Sequence, residues 1–186
     1  MRKLLCFIMI STALLSCNNA SRNVEKPENT KDSVTVTPKM GKWEVGTFED
    51  EFGEDMEIKF VSLISEGKFS NSSATNEPAI ATIQVFNRGV TFKLWEYGEF
   101  LMKGEEYVTA RIKDSSGKVT ELNMNNHTDG SIYGADTSID TLFEILRKEG
   151  IVMFLFTVDT GASIPTEFSF KFDITGFKNA EKIIFQ

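Results

Sequence analysis

The chain has 186 residues, 41% of them apolar, with 27 acidic against 20 basic side chains and a formal charge of −7. That length allows one or two domains, and the acidic balance is poorly suited to phosphate backbones or anionic lipid, so nucleic acid is not an expected partner. Two cysteines and a single histidine are too few for Cys-based or His-pair zinc sites, and a chain without further thiols has little scope for cysteine catalysis.

Arg2 and Lys3 form a basic start, Leu4 to Leu15 an apolar run interrupted by Ser11 and Thr12, and Ser16 a small residue before Cys17. This order predicts a secretory signal over 1–16. As a helix of about 12 residues the apolar run spans about 18 Å, short of a hydrocarbon core of about 30 Å, so it is not expected to persist as a membrane span. The quartet Leu14-Leu15-Ser16-Cys17 resembles the lipobox of bacterial prolipoproteins. The resemblance implies a diacylglyceryl thioether on Cys17, cleavage after Ser16, and a further acyl chain of the palmitate class on the new amino group. The alternative is an ordinary secretory signal that leaves Cys17 as a free thiol.

Cys6 lies in the removed segment, so the mature chain keeps only Cys17 and has no intramolecular disulfide; packing alone must stabilise it. One acyl chain holds a protein marginally, and two or three hold it durably. In the sorting rule of Gram-negative lipoproteins, Asp after the cysteine retains the protein at the inner membrane. Asn18 stands there instead, which implies the outer membrane, and the absence of acids from Asn18 to Arg22 implies its periplasmic face.

Residues 17–40 read as a lipidated tether: from Asn18 to Met40 there is no aromatic residue, with Pro27, Pro38 and mixed charges between. Such a segment cannot bury enough apolar surface to fold, and as a flexible coil of about 23 residues it spans roughly 25 Å. Asp32-Ser33-Val34 is similar to the acceptor of one bacterial O-glycosylation system, which makes Ser33 a candidate site for a sugar. Removing Arg2 and Lys3 with the signal takes the formal charge from −7 to −9.

Aromatic residues begin at Trp43, and residues 41–186 read as one domain. Short runs at Met56 to Ile64, Ala79 to Phe86, Val90 to Tyr97, Tyr107 to Lys113 and Val119 to Met124 have strand character. Asn87-Arg88-Gly89 and Asp114-Ser115-Ser116-Gly117 supply turns, the second closing a hairpin. Ile139, Leu142, Phe143 and Leu146 share one helical face, with caps at Asp136 to Ser138 and Gly150 beyond the end. Ile151 to Phe156 is apolar without alternation and predicts a central strand covered on both faces. Phe168 to Ile174 alternates strictly, a half-buried strand, and Asn179 to Ile184 reads as a terminal helical turn. The expected fold is mainly β: an antiparallel β-sandwich or flattened barrel with one packed α-helix.

The order of Trp43, Asp50 to Gly53, Gly67 to Thr75, Trp95 to Tyr97, Tyr107 to Asp114, a helix and Phe168 to Phe177 resembles small bacterial lipoproteins of unassigned function. Its second half is distantly similar to periplasmic accessory proteins of the TagO/VasI type, with an Arg-containing strand before a helix and the closing Gly176-Phe177 pair. That similarity implies an accessory role in type VI secretion.

No catalytic residue or cofactor is expected. His127 sits in an Asn/Asp/Gly-rich stretch without a GxSxG elbow to present a serine. Ser65 to Lys68 and Ser115 to Lys118 match SxxK only as strings, because each contains a glycine at an expected chain turn, whereas the motif needs Ser and Lys one helical turn apart. Two weak cation candidates stand out. Asn125, Asp129 and Asp136 carry oxygens at calcium-loop spacing, but His127 takes a ligand position and the segment begins as strand. Asp50, Glu51 and Asp55 belong to an acidic group around Phe52-Gly53, read as a solvated turn whose phenyl ring packs inward. Trp43, Trp95, Tyr97, Tyr107 and Tyr133 could stack on sugar or peptide.

The expected function is a non-catalytic binding or scaffold domain, held to membrane lipid through acylated Cys17, with an envelope protein or glycan as partner. A secretion accessory lipoprotein and a carboxylate-based envelope hydrolase are the alternatives. Cys17→Ser is expected to leave full-length precursor with no incorporation of labelled palmitate, and normal labelling of that variant would overturn the lipid reading.

Overall fold

The computed structural model describes residues 40–96, 99–100, 107–126, 131–159, 161 and 163–186, and the structural statements below concern these. The signal, the tether with Cys17 and Ser33, and Tyr97, His127 and Asp129 lie outside them. In chain order come β1 (Glu44–Glu49), β2 (Asp55–Ser70), β3 (Glu77–Phe86), β4 (Gly89–Glu96), β5 (Glu99–Phe100), β6 (Tyr107–Lys113), β7 (Val119–Asn126) and β8 (Ile132–Gly134). Helix α1 (Asp136–Arg147), β9 (Ile151–Asp159), β10 (Thr166–Asp173) and helix α2 (Phe177–Ile184) follow.

Every strand pairing is antiparallel, and the order β2-β10-β9-β6-β7-β8-β4-β3 returns to β2 through a ladder running from Phe60↔Phe86 to Phe69↔Glu77. The result is a closed barrel of 8 strands, with β1 added alongside β2 and β5 alongside β4. Of the two expected forms, sandwich and flattened barrel, the structure is a barrel. A sandwich would leave β2 and β3 as edges, whereas here they pair with each other and one continuous sheet results.

Closure depends on the length of β2, 16 residues where the sequence suggests about half as many. Gly67 reads as a turn in sequence, but it lies in mid-strand and serves packing. A Cβ there would come within 2.2 Å of the Ser169 carbonyl oxygen and 2.3 Å of the Phe170 ring. The missing side chain lets β2 bend inward against β10 while β3 stays paired on its other edge.

The lumen is full of phenylalanine. Phe168, Phe170 and Phe172 of β10, Phe154 and Phe156 of β9, Phe69 of β2 and Phe92 of β4 are all fully buried. Phe92 lies 5.2 Å from both Phe154 and Phe156, measured between ring centroids. Because β4 and β9 are not neighbours in the ring of strands, these contacts span the lumen. An eight-stranded barrel has an interior just wide enough for side chains to fill.

β8 is only three residues long and leaves most of β7 unpaired on that side. Helix α1 packs over this seam, burying Leu142, Phe143, Ile145 and Leu146, with Ile139 half-buried. The expected apolar face is present, but the helix starts without side-chain capping: Ala135 is the N-cap. Helix α2 is longer than the expected turn and buries Phe177, Ala180 and Ile184. Trp43 packs on Phe177 at 5.1 Å and donates its indole N–H to the Ile174 carbonyl at 3.3 Å. None of the described helices is long and apolar enough to cross a membrane.

β9 departs from expectation in a useful way. It is central, paired to β10 and β6, but only its inner face is covered. Val152, Phe154 and Phe156 point inward, whereas Ile151 and Met153 are 52% and 41% exposed. The outside of a closed barrel has no second layer here, so apolar residues of both parities cannot all be buried.

Gly67→Ala is expected to lower the unfolding free energy by about 1–3 kcal/mol through overpacking, seen as a lower urea midpoint at unchanged slope. An unchanged midpoint would show that β2 and β10 separate there without cost.

Candidate functional site

The seam that a short β8 creates also forms a groove. It holds about 270 Å³ between the start of β4, β8 and the first turn of α1. Its apolar wall is Phe86, Val90 and Ile139, and its polar groups are Arg88, Thr91, Ser131 and Tyr133. Each position follows from local structure. Arg88 sits in the two-residue connection of the β3–β4 hairpin, which pairs Phe86 with Gly89. Tyr133 is held by pairing to Thr91 on one side and Asn125 on the other. Gly134 leaves room for Leu142 of α1, since a Cβ would approach that side chain to 2.8 Å.

Arg88 forms no ion pair among the described residues and is exposed at the rim. Thr91 donates from its hydroxyl to the Gln84 carbonyl at 3.4 Å. A free guanidinium above an apolar wall, with hydroxyl groups beside it, suits an anionic group carried on an apolar body. No carboxylate of the described residues lines this groove.

The residues singled out from sequence fall elsewhere. Asp50 organises the turn of the β1–β2 hairpin: its Oδ1 accepts from the Phe52 and Glu54 amides at 2.8 and 2.9 Å. Asp55 accepts from the Thr47 hydroxyl at 2.7 Å, and Glu51 is exposed. Asp50 and Asp55 are thus engaged by donors of the hairpin itself. Among the described residues, no three His, Cys, Asp or Glu side chains are grouped to hold a metal ion.

Phe52 does not pack inward: it is 82% exposed at the hairpin tip, because residues 55–59 of β2 run past the end of β3 and carry the turn away from the barrel. Asn125 is a strand residue of β7, registered on Tyr133, and Asp136 opens α1. Of the aromatic candidates, Trp43 is core, Trp95 is half-buried on β4, and Tyr133 alone lines the groove. Ser65 and Lys68 lie on a strand, where a spacing of three turns their side chains to opposite faces.

Sequence reasoning missed Arg88 and Ser131 altogether. The Asn87-Arg88-Gly89 turn is recognisable, but nothing local shows that α1 will fold over it.

Three carboxylates are perturbed among the described residues, Asp173 being lowered by hydrogen bonds from Thr175. Burial pushes Glu96 upward, and its Oε1 meets no hydrogen-bond partner among the described residues. Asp114 is held far below the usual carboxylate range, first by Lys148, whose ammonium donates to Oδ2 at 2.6 Å, and then by the Ser116 hydroxyl and the Lys118 amide on Oδ1. Its partners are all structural, and the pair ties the β6–β7 turn to the end of α1.

No family model, curated protein or solved structure matches the chain. The class defined by fold and site is a phenylalanine-filled antiparallel β-barrel with a helix-covered seam.

A carboxylate whose folded pKa is depressed stabilises fully above its unfolded value and loses that contribution as pH falls below it. Asp114, with an ordinary value of 3.8, therefore contributes at neutral pH and progressively less in acid. Asp114→Asn is expected to lower Tm at pH 7 and to shrink the fall in Tm between about pH 5 and pH 2. Equal Tm falls in variant and parent would remove Asp114 from the acid response.

Proposed function

We propose that this chain is a lipid-anchored cell-envelope protein whose barrel binds, without chemical conversion, a protein partner through the seam groove. The observation that carries the reading is the filled lumen: Phe92, Phe154 and Phe156 meet across it, so recognition falls to the outside of the barrel. The groove combines an apolar wall with a free cation and hydroxyl groups. An acidic peptide segment with an apolar side chain fits that chemistry better than a neutral glycan, which would need an open aromatic platform. The anchor at Cys17 and the tether to residue 40 would keep the barrel near the membrane while leaving the groove accessible.

A photoreactive phenylalanine placed at Ile139 of the full-length chain in cells is expected to give discrete protein adducts, and Arg88→Glu is expected to remove them. A folded, irradiated variant that yields no adduct from Ile139 or from Thr91 would overturn the groove as the binding site.

A further inference from the structure

Two features outside the seam are unexplained, and they are complementary. The first is the β1–β2 hairpin. Its tip carries Phe52 at 82% exposure within a run of exposed acids, Glu49, Asp50, Glu51, Glu54, Asp55 and Glu57. The hairpin is not a loose appendage. Phe60 packs against Phe48 at 4.9 Å, Phe48 packs edge-on to Phe86 at 5.6 Å, and the Phe60 ring covers Gly46, where a Cβ would lie 2.4 Å from it. Asp50 fixes the turn. An exposed apolar ring is thus held on a built support rather than left on a floppy loop.

The second feature is the outer wall at β9. Met153 lies between Lys113 of β6 and Lys171 of β10, and Leu155 between Arg111 and Ser169. Val119, paired to Lys113, is 52% exposed. Together these residues leave a groove of about 290 Å³ whose lining holds two cations and no carboxylate. The small side chain of Ser169 keeps its floor low. A neighbouring groove of about 220 Å³, across Met153, adds Lys68 and Lys171, with Glu66 at its edge. Glu121 stands 3.9 Å from Arg111, but both side chains are more than half exposed, so that pair is weak and exchangeable.

We propose that the Phe52-tipped acidic hairpin of one copy docks in the Met153 groove of a second copy, so that this protein self-associates through its own complementary surfaces. Phe52 fills the groove over Met153 and Ser169, and Glu51 and Glu54 meet Arg111 and Lys113. The hairpin springs from β2, and the groove begins on β10 and β9, the next strands in the ring. If each tip seats in the other copy's groove, the contact is isologous and the pair closes. An anionic membrane is the poorer occupant, because the acidic tip beside the groove would be repelled by it.

The barrel, both helices and the hairpin lie within residues 40–186, so a chain from Asn18 to Gln186 carries both surfaces. Sedimentation of that chain is expected to show concentration-dependent dimers that weaken in about 1 M salt, where the screening length falls to about 3 Å. Phe52→Ala is expected to weaken association about tenfold or more. The decisive measurement uses two charge-swapped chains, one with Arg111→Glu and Lys113→Glu, the other with Glu51→Lys and Glu54→Lys. Each alone brings like charges together and should be monomeric. Mixed, both contacts are again between opposite charges, and a heterodimer should form. Circular dichroism confirms that each variant is folded. Dimers that persist in either swapped chain alone, or a mixture that stays monomeric, would overturn the proposal. So would a parent chain that is monomeric at low salt and binds phosphatidylglycerol vesicles instead, an outcome that assigns the wall to lipid.

Discussion

The rest of the molecule depends on phenylalanine rings meeting across the lumen. Phe92 on β4 touches Phe154 and Phe156 on β9, and the chain of rings continues through Phe170 and Phe168 to Phe69 on β2. Burying each ring contributes about 1.5–3 kcal/mol, while favourable ring geometry adds about 0.5–1.5 kcal/mol, so burial dominates and orientation refines. Rings of this size reach each other only if the sheet closes, and closure requires β2 to span from β10 to β3 without a break. Gly67, where the Phe170 ring occupies the space of a side chain, is the residue that makes both possible.

A filled lumen moves function outward, and the outer surface is not uniform. The seam beside β8 places Arg88, Thr91, Ser131 and Tyr133 around an apolar wall because α1, not a strand, completes the enclosure there. The open face of β9 leaves apolar residues between cations because no second layer covers it. The acidic hairpin collects much of the opposite charge at the end of a stiff ribbon. The cations lining these two grooves match acidic polypeptide better than neutral surfaces, and the proposed membrane tether would raise the local concentration of such partners.

Much of the fold was legible for a physical reason: where one face is buried and the other wet, the two-residue repeat of a strand appears directly in composition. Phe168 to Ile174 and the hairpin around Asp114 to Gly117 are of this kind. The helix at Ile139 to Leu146 is similarly visible through its apolar stripe. The misreadings also have causes. Ile151 to Phe156 is apolar on both faces, which sequence interprets as double burial, although the outward set meets solvent. Gly67 looks like a stop because local rules cannot see a ring arriving from a strand a hundred residues later. Phe52 was placed inside by its hydrophobicity, but a hairpin that outruns its neighbours has no interior to offer. The candidate groove was largely hidden, since Arg88, Ile139 and Tyr133 come from three elements with no shared spacing.

Sequence alone therefore determined the strand-rich class, the single helix-forming stripe in α1, and the expectation of a lipidated start at Cys17. These are properties of local pattern and inventory, and they need no partner in space. Only the tertiary structure decided that the sheet closes into a barrel and that the lumen is solid. It also decided that the groove forms at a seam and that Phe52 and Met153 face outward. Each of those outcomes depends on which strand edges find one another over long stretches of chain, a competition settled by packing volume rather than by any residue's own preference.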